Sequence, residues 1–206
     1  MNQITIKKLS TPAPKSIPAT VEIILVGLTP GKQQHRKIEN EGVDKGAFAG
    51  GMRTNFHRWF CTLGIDAHFD LKGPDDLFER GDLVHRRFFT SLLRDPVYSN
   101  DENYSGRNPF PWEHPELAEM MERTFELLRT ADSRCLIIPC GQVVSQALMV
   151  GLLDSPLHDN VLYGFPHPSP LNGHANREFE ENYPLLKLRC ESVLQEKVSK
   201  HDKTHE

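Results

Sequence analysis

Two short apolar runs set the frame: VEIILVG at Val21 to Gly27 and CLIIPC at Cys135 to Cys140. Stretches of this length without polar alternation suit strands covered on both faces, as in parallel sheets. Further strand signals lie at Val84 to Leu93 and at Val161 to Phe165. Between them the apolar period changes to that of a helix. Phe56, Trp59, Phe60 and Leu63 share one face; Leu117, Met120, Met121, Phe125 and Leu128 repeat the pattern, and so do Val143, Val144, Ala147, Leu148 and Leu152. A fourth helix is expected over much of Asn176 to Lys197, divided at Pro184, with Asn182 as a cap for its second part. Strands alternating with helices imply βαβ units. The expected fold is therefore α/β, a three-layer α/β/α sandwich around a roughly four-stranded parallel sheet.

A chain of 206 residues supports one such core with appendages. The expected division is a Pro-rich arm over 1–20, one domain over 21–197 and a polar tail over 198–206. The longest uncharged stretch, Cys135 to Leu153, is interrupted by Pro139, Gly141, Gln142, Ser145 and Gln146, so it reads as a strand followed by a helix rather than a membrane span. The first twenty residues hold no apolar run that could act as a secretory signal, which places the expected chain in the cytoplasm. Cys61, Cys135, Cys140 and Cys190 form no CxxC pair and read as buried reduced thiols.

Open parallel sheets bind ligands at the carboxyl ends of their strands. Three loops fall there. Gly27-Leu28-Thr29-Pro30-Gly31-Lys32 is one residue short of a Walker A loop, and Gln33 stands where Ser or Thr is needed, so nucleotide hydrolysis is disfavoured. What remains is a tight turn that lets backbone N–H groups approach a small planar or anionic ligand. The second loop is TSLLRDPVY after the second strand. The third, His167-Pro168-Ser169-Pro170-Leu171-Asn172-Gly173-His174, sets an imidazole directly after a buried strand and stiffens it with Pro166, Pro168 and Pro170.

HPSPLNG at His167 to Gly173 and GLTPG at Gly27 to Gly31 resemble the two signatures of the uracil-DNA glycosylase superfamily, in the same order along the chain. The resemblance spans about Val21 to Cys190. It implies hydrolysis of the N-glycosidic bond of a damaged or deaminated base in DNA, in base-excision repair and without a cofactor. By that likeness His167 stabilises charge on the leaving base, Thr29 holds the attacking water, and Phe48 stacks on the extruded base. Gly27, Leu28, Pro30, Gly31, Ser91 and Asn172 would complete the base pocket. Leu171 is placed like the family's wedge, filling the vacated stack, and Ser169 contacts backbone or phosphate. The chain departs from the family in the first loop, where Leu28 and Thr29 replace the usual Asp, Asn or Glu; Asp44 and Asn172 are the candidates to compensate. Ser91 or Thr90 stands where strict uracil readers carry Asn, so the excised base is left open. The reading requires the glycine turn and His167 to line one cavity.

DNA contact must survive a net charge of −4, from 24 Lys and Arg against 28 Asp and Glu. Lys32 to Arg58 holds six basic residues, Lys32 and Arg53 among them, against three acids, and Arg80 to Asp95 holds four against two. These windows are the expected DNA-facing surface, and the helix over Glu113 to Arg129, with five Glu and two Arg, is expected to face away. The residues Tyr98 to Pro115 are expected to form a long surface excursion. His158, His167 and His174 lack metal-ligand spacing, so no metal is assigned. The expected partner is DNA bearing a damaged or mispaired base, bound by a monomer and without a membrane. Two rivals remain: a damaged-DNA binder that lacks the chemistry, and a protein that binds free nucleosides or nucleotides.

Overall fold

The computed structural model describes residues 3–10, 12–41, 47–48 and 50–201, with residues 195–201 in backbone only. Its central sheet is parallel. Strand β2 (Ile23–Gly27) lies between β3 (Arg87–Ser91) and β6 (Leu136–Pro139), with Ile23 opposite both Arg87 and Leu136. Ile23, Ile24, Leu25 and Val26 are completely buried, because each face of the strand meets its own core. Ile23 and Leu25 join Phe56, Trp59 and Phe60 of α2 (Gly51–Leu63) and Phe179 and Leu186 of α7 (Ala175–His201). Ile24 and Val26 join Leu117 and Phe125 of α5 (Pro115–Leu128) and Val144 and Leu148 of α6 (Gln142–Gly151). Polar alternation would have put a hydrophilic side chain into one of these cores, which is why the run shows none.

The expected fourth strand contributes a single parallel bridge, Val161 to Ile137. Gly164, at φ 84°, then turns the chain, and the Phe165 N–H closes on the Leu162 carbonyl at 3.1 Å. The sheet thus has three strands where about four were expected.

A second, antiparallel sheet was not foreseen. It orders β1 (Ile4–Ile6), β4 (Val97–Ser99) and β5 (Glu102–Asn103), with Ile4 opposite Ser99. The hairpin between β4 and β5 turns on Asn100 and Asp101, at φ 50° and 61°. Two successive positive-φ residues are the geometry of the tight turn that matches strand twist, and Asn and Asp tolerate it best. The N-terminal arm is accordingly fixed: beyond β1, the Ile17 N–H donates to Thr130 Oγ1 at 2.9 Å and the Thr20 hydroxyl donates to the His85 carbonyl at 2.7 Å.

Three shorter α-helices lie among the described residues. Helix α1 (Lys32–Glu41) is polar with only Ile38 buried, and α3 (Ile65–Phe69) and α4 (Asp76–Glu79) flank the aromatic core. Helix α7 runs through Pro184 instead of dividing there. The carbonyl that proline leaves without an intrahelical donor belongs to Glu180, an exposed residue. Asn182 is no cap; its side-chain amide donates to the Gly164 and Glu178 carbonyls, each at 3.0 Å. No helix among the described residues is long and apolar enough to cross a membrane.

Candidate functional site

Because β2, β3 and β6 are parallel and in register, their carboxyl ends release three loops on one edge of the sheet. Gly27 sits opposite Ser91, and Val26 opposite Pro139, with the Cys140 N–H bonded to the Val26 carbonyl at 2.8 Å. The Gly141 N–H then donates to the Phe165 carbonyl at 3.2 Å, which draws the third loop alongside. His167 packs on Gly141 so closely that a Cβ there would approach the His167 Cβ to 3.2 Å, and the glycine's φ of 98° also disfavours any side chain. From Ser91 across Gly27 to Gly141 is two strand spacings, about 10 Å.

The third loop holds itself rigid. The Ser169 N–H donates to His167 Nδ1 at 3.2 Å, so the neutral ring carries its proton on Nε2. His167 is exposed as a residue, yet neighbouring atoms desolvate its ring enough to lower its pKa below the ordinary value, and the Glu178 carboxylate opposes the shift. The Ser169 hydroxyl accepts from the Leu171 N–H at 3.2 Å, the Asn172 N–H donates to the Ser169 carbonyl at 3.0 Å, and Asn55 of α2 donates to the Pro168 carbonyl at 2.9 Å. Asn172 spends its side chain on the loop itself, donating to the His167 carbonyl and to Glu178, both at 3.4 Å. At the tip of this braced turn Leu171 is 95% exposed, the most solvated large apolar side chain described.

In the first loop, Gly27 admits two neighbours: a Cβ there would stand 3.5 Å from Ser91 Oγ and 3.7 Å from the Phe48 ring. Phe48 is buried at φ 47°, edge-on to Phe56 at 5.2 Å and to Phe89 at 6.2 Å between ring centres. Its ring is a fixed wall. Leu28 is half-buried beneath Gly106, and its carbonyl accepts from the Leu93 N–H at 2.8 Å. Gly31 faces Asn103, whose side-chain oxygen accepts from the Lys32 N–H at 2.9 Å and so caps α1 from across the chain. Pro30, Phe48 and Ser91 also line a cavity of about 560 Å³ that follows the outer edge of β3 beneath the arm. His167 does not line that cavity, so the expectation that the glycine turn and His167 share one cavity is not met there; His167 stands two strand ends away, over Gly141.

Several expectations are revised. The Thr29 hydroxyl gives its only proton to the Asp95 carbonyl and accepts from the Val97 N–H, both at 3.0 Å, so it ties the first loop to β4 rather than presenting a donor to water. Arg53, expected to face DNA, turns inward: its side chain is 7% exposed, paired with Asp75 at 2.8 Å and Glu79 at 2.6 Å, and laid over the Phe78 ring. In the window Arg80 to Asp95 only Arg87 is buried, while Arg80, Arg86 and Arg94 are partly exposed and carry carboxylate partners. Arg86 pairs with Glu22, Arg87 is buried and donates to the Arg80 carbonyl at 3.0 Å, and Arg80 pairs with Asp82. Asp44 and Lys45 lie outside the described residues. Cys61 is exposed rather than buried, with a thiol pKa raised by desolvation and by Asp66, while burial pushes Cys190 up to about 12. Among the described residues no three His, Cys, Asp or Glu side chains gather as metal ligands would.

The sequence reading missed Gly141, whose conformation depends on tertiary packing, and Glu178, which reaches His167 and Asn172 from the first turn of α7.

Fold and edge together define a mixed α/β protein whose three loops converge at one end of a short parallel sheet. No family model matches the chain. It is similar to an uncharacterized protein of Bacillus subtilis (strain 168), YoxB, at 27% identity over 189 residues, covering 82% of this chain and 73% of that one.

Proposed function

We propose that this protein is a DNA glycosylase that hydrolyses the N-glycosidic bond of a damaged or deaminated base. One observation carries the reading: His167, with Nδ1 occupied by the Ser169 N–H, offers an Nε2–H donor on the same braced turn that projects Leu171 wholly into solvent. Leu171 enters the duplex stack as the target base leaves it. The extruded base rests on the Phe48 wall near Ser91 and Gly27. The C1′–N bond breaks with its electron pair leaving on the base, whose developing charge the Nε2–H stabilises; water adds its oxygen to C1′, and the proton it loses passes through solvent to the departed base. Neutral imidazole suits this task, and the lowered pKa of His167 favours that form. In the same reading the Val161 bridge marks a shortened fourth strand of a three-layer α/β/α sandwich, and the chain acts in the cytoplasm as a monomer.

A second reading, a damaged-DNA binder without the chemistry, is favoured by the first loop: Gly27 to Lys32 has no carboxylate or amide, and the Thr29 hydroxyl is committed to Asp95 and Val97. Single-turnover incubation with oligonucleotides carrying uracil, hypoxanthine or xanthine separates the two. Time-dependent release of one of these bases supports the glycosylase; saturable binding with no release in long incubations selects the binder.

A further inference from the structure

Arg53 and Arg87 are buried, and Arg80, Arg86 and Arg94 are engaged by carboxylates. A group of cations with weaker ties lies where the two sheets meet. Lys7 follows β1, its N–H held by the Pro96 carbonyl at 2.9 Å, while Lys32 and Arg36 lie in the first turns of α1. These three side chains, with His35, Tyr98 and the single carboxylate Asp101, line a cavity of about 400 Å³. Lys7 and Arg36 have no ionic partner among the described residues, and Lys32 meets only the exposed Glu102, at 3.5 Å. An exposed pair of that length holds its lysine weakly against a competing anion. His35 bonds the Tyr98 hydroxyl through Nδ1 at 2.9 Å. Its Nε2 is buried without a hydrogen-bond partner, because the Glu39 carboxylate, 3.2 Å away, is out of line.

We infer that this cavity is a phosphate site for the DNA strand that delivers the target base. The inference rests on the glycosylase reading and adds a contact surface to it. Two ammonium groups and a guanidinium around one hollow match a phosphodiester, whose charge is met by several donors at once. Position selects DNA as its source. Lys32 directly follows the Gly27 to Gly31 turn, and Arg36 lies about one helical turn, roughly 5.4 Å, further on. A strand whose charges recur about every 3.4 Å covers that distance in one or two nucleotides.

The test compares wild type with the K7A/R36A variant, both side chains being exposed so that folding is retained, as a thermal melt verifies. Binding to a uracil-containing duplex, to the undamaged duplex and to inorganic phosphate is followed across salt concentrations. The expected result is that the plot of log affinity against log salt becomes shallower by about 1.8 for both duplexes, two contacts at about 0.9 each. An unchanged slope in a folded variant overturns the phosphate site and leaves the glycosylase reading standing. Inorganic phosphate bound by wild type and lost in the variant, with neither chain binding DNA, overturns DNA as the source, and the glycosylase reading fails with it. No binding of either probe by wild type overturns both.

Discussion

Leu171 offers the sharpest separation of a structural role from a DNA-binding one. At 95% exposure it buries almost nothing in the free protein, so Leu171→Ala should change folding stability by less than about 0.5 kcal/mol. In the complex the same side chain fills the stack that the base vacates. Removing three carbons from an apolar contact, at about 0.8 kcal/mol each, costs about 2.4 kcal/mol, or roughly 60-fold in affinity. The loss should appear with a duplex carrying the lesion and be small with the lesion in a single strand, where no stack needs filling. Fluorescence anisotropy on both substrates, beside urea melts of both chains, measures it. Equal affinities of wild type and L171A for the lesion duplex would refute the wedge, and a drop in stability would show that the side chain packs within the protein.

Arg53→Ala should cost about 1–3 kcal/mol in a denaturant melt through lost packing on Phe78, less than a fully buried pair because Asp75 and Glu79 stay solvated, and it should leave the salt dependence of DNA binding unchanged. Thr29→Val strands the Val97 N–H and the Asp95 carbonyl and should also cost about 1–3 kcal/mol, while retaining the rate of base release at temperatures where the variant is folded. His167 has a folded-state pKa below its ordinary 6.5, so the folded chain binds fewer protons than the unfolded one between the two values. Its contribution to stability is therefore complete above about pH 6.5 and lost as pH falls through that window. Urea melts at pH 7.5 and pH 5 should show a loss that is slightly larger in wild type than in His167→Gln.

The central strands and the four long helices could be read from the sequence because their signals are local. VEIILVG and CLIIPC are apolar without alternation, and Phe56 to Leu63 keeps a helical period. Where tertiary structure decides, the sequence was mute. Helix α1 has one buried residue and so no stripe, and it depends on Asn103 for its cap. The Asn100-Asp101 turn was a readable hairpin signal, masked by the Gly and Pro residues that follow it. Charge misled most: a run of basic residues does not say which way each points, and Arg53, Arg86 and Arg87 meet carboxylates, carbonyls and rings brought from other parts of the chain. At the candidate site the residue types of the third loop were visible, whereas the His167 tautomer needed the Ser169 N–H to fix it.

Base release from a panel of oligonucleotides bearing uracil, hypoxanthine or xanthine, by wild type and by His167→Ala, tests the account most directly. Loss of one oriented donor to the leaving base should slow release by about 10²–10³-fold with the fold intact. Release at the same rate by both chains, or from none of the three substrates by wild type, would contradict it.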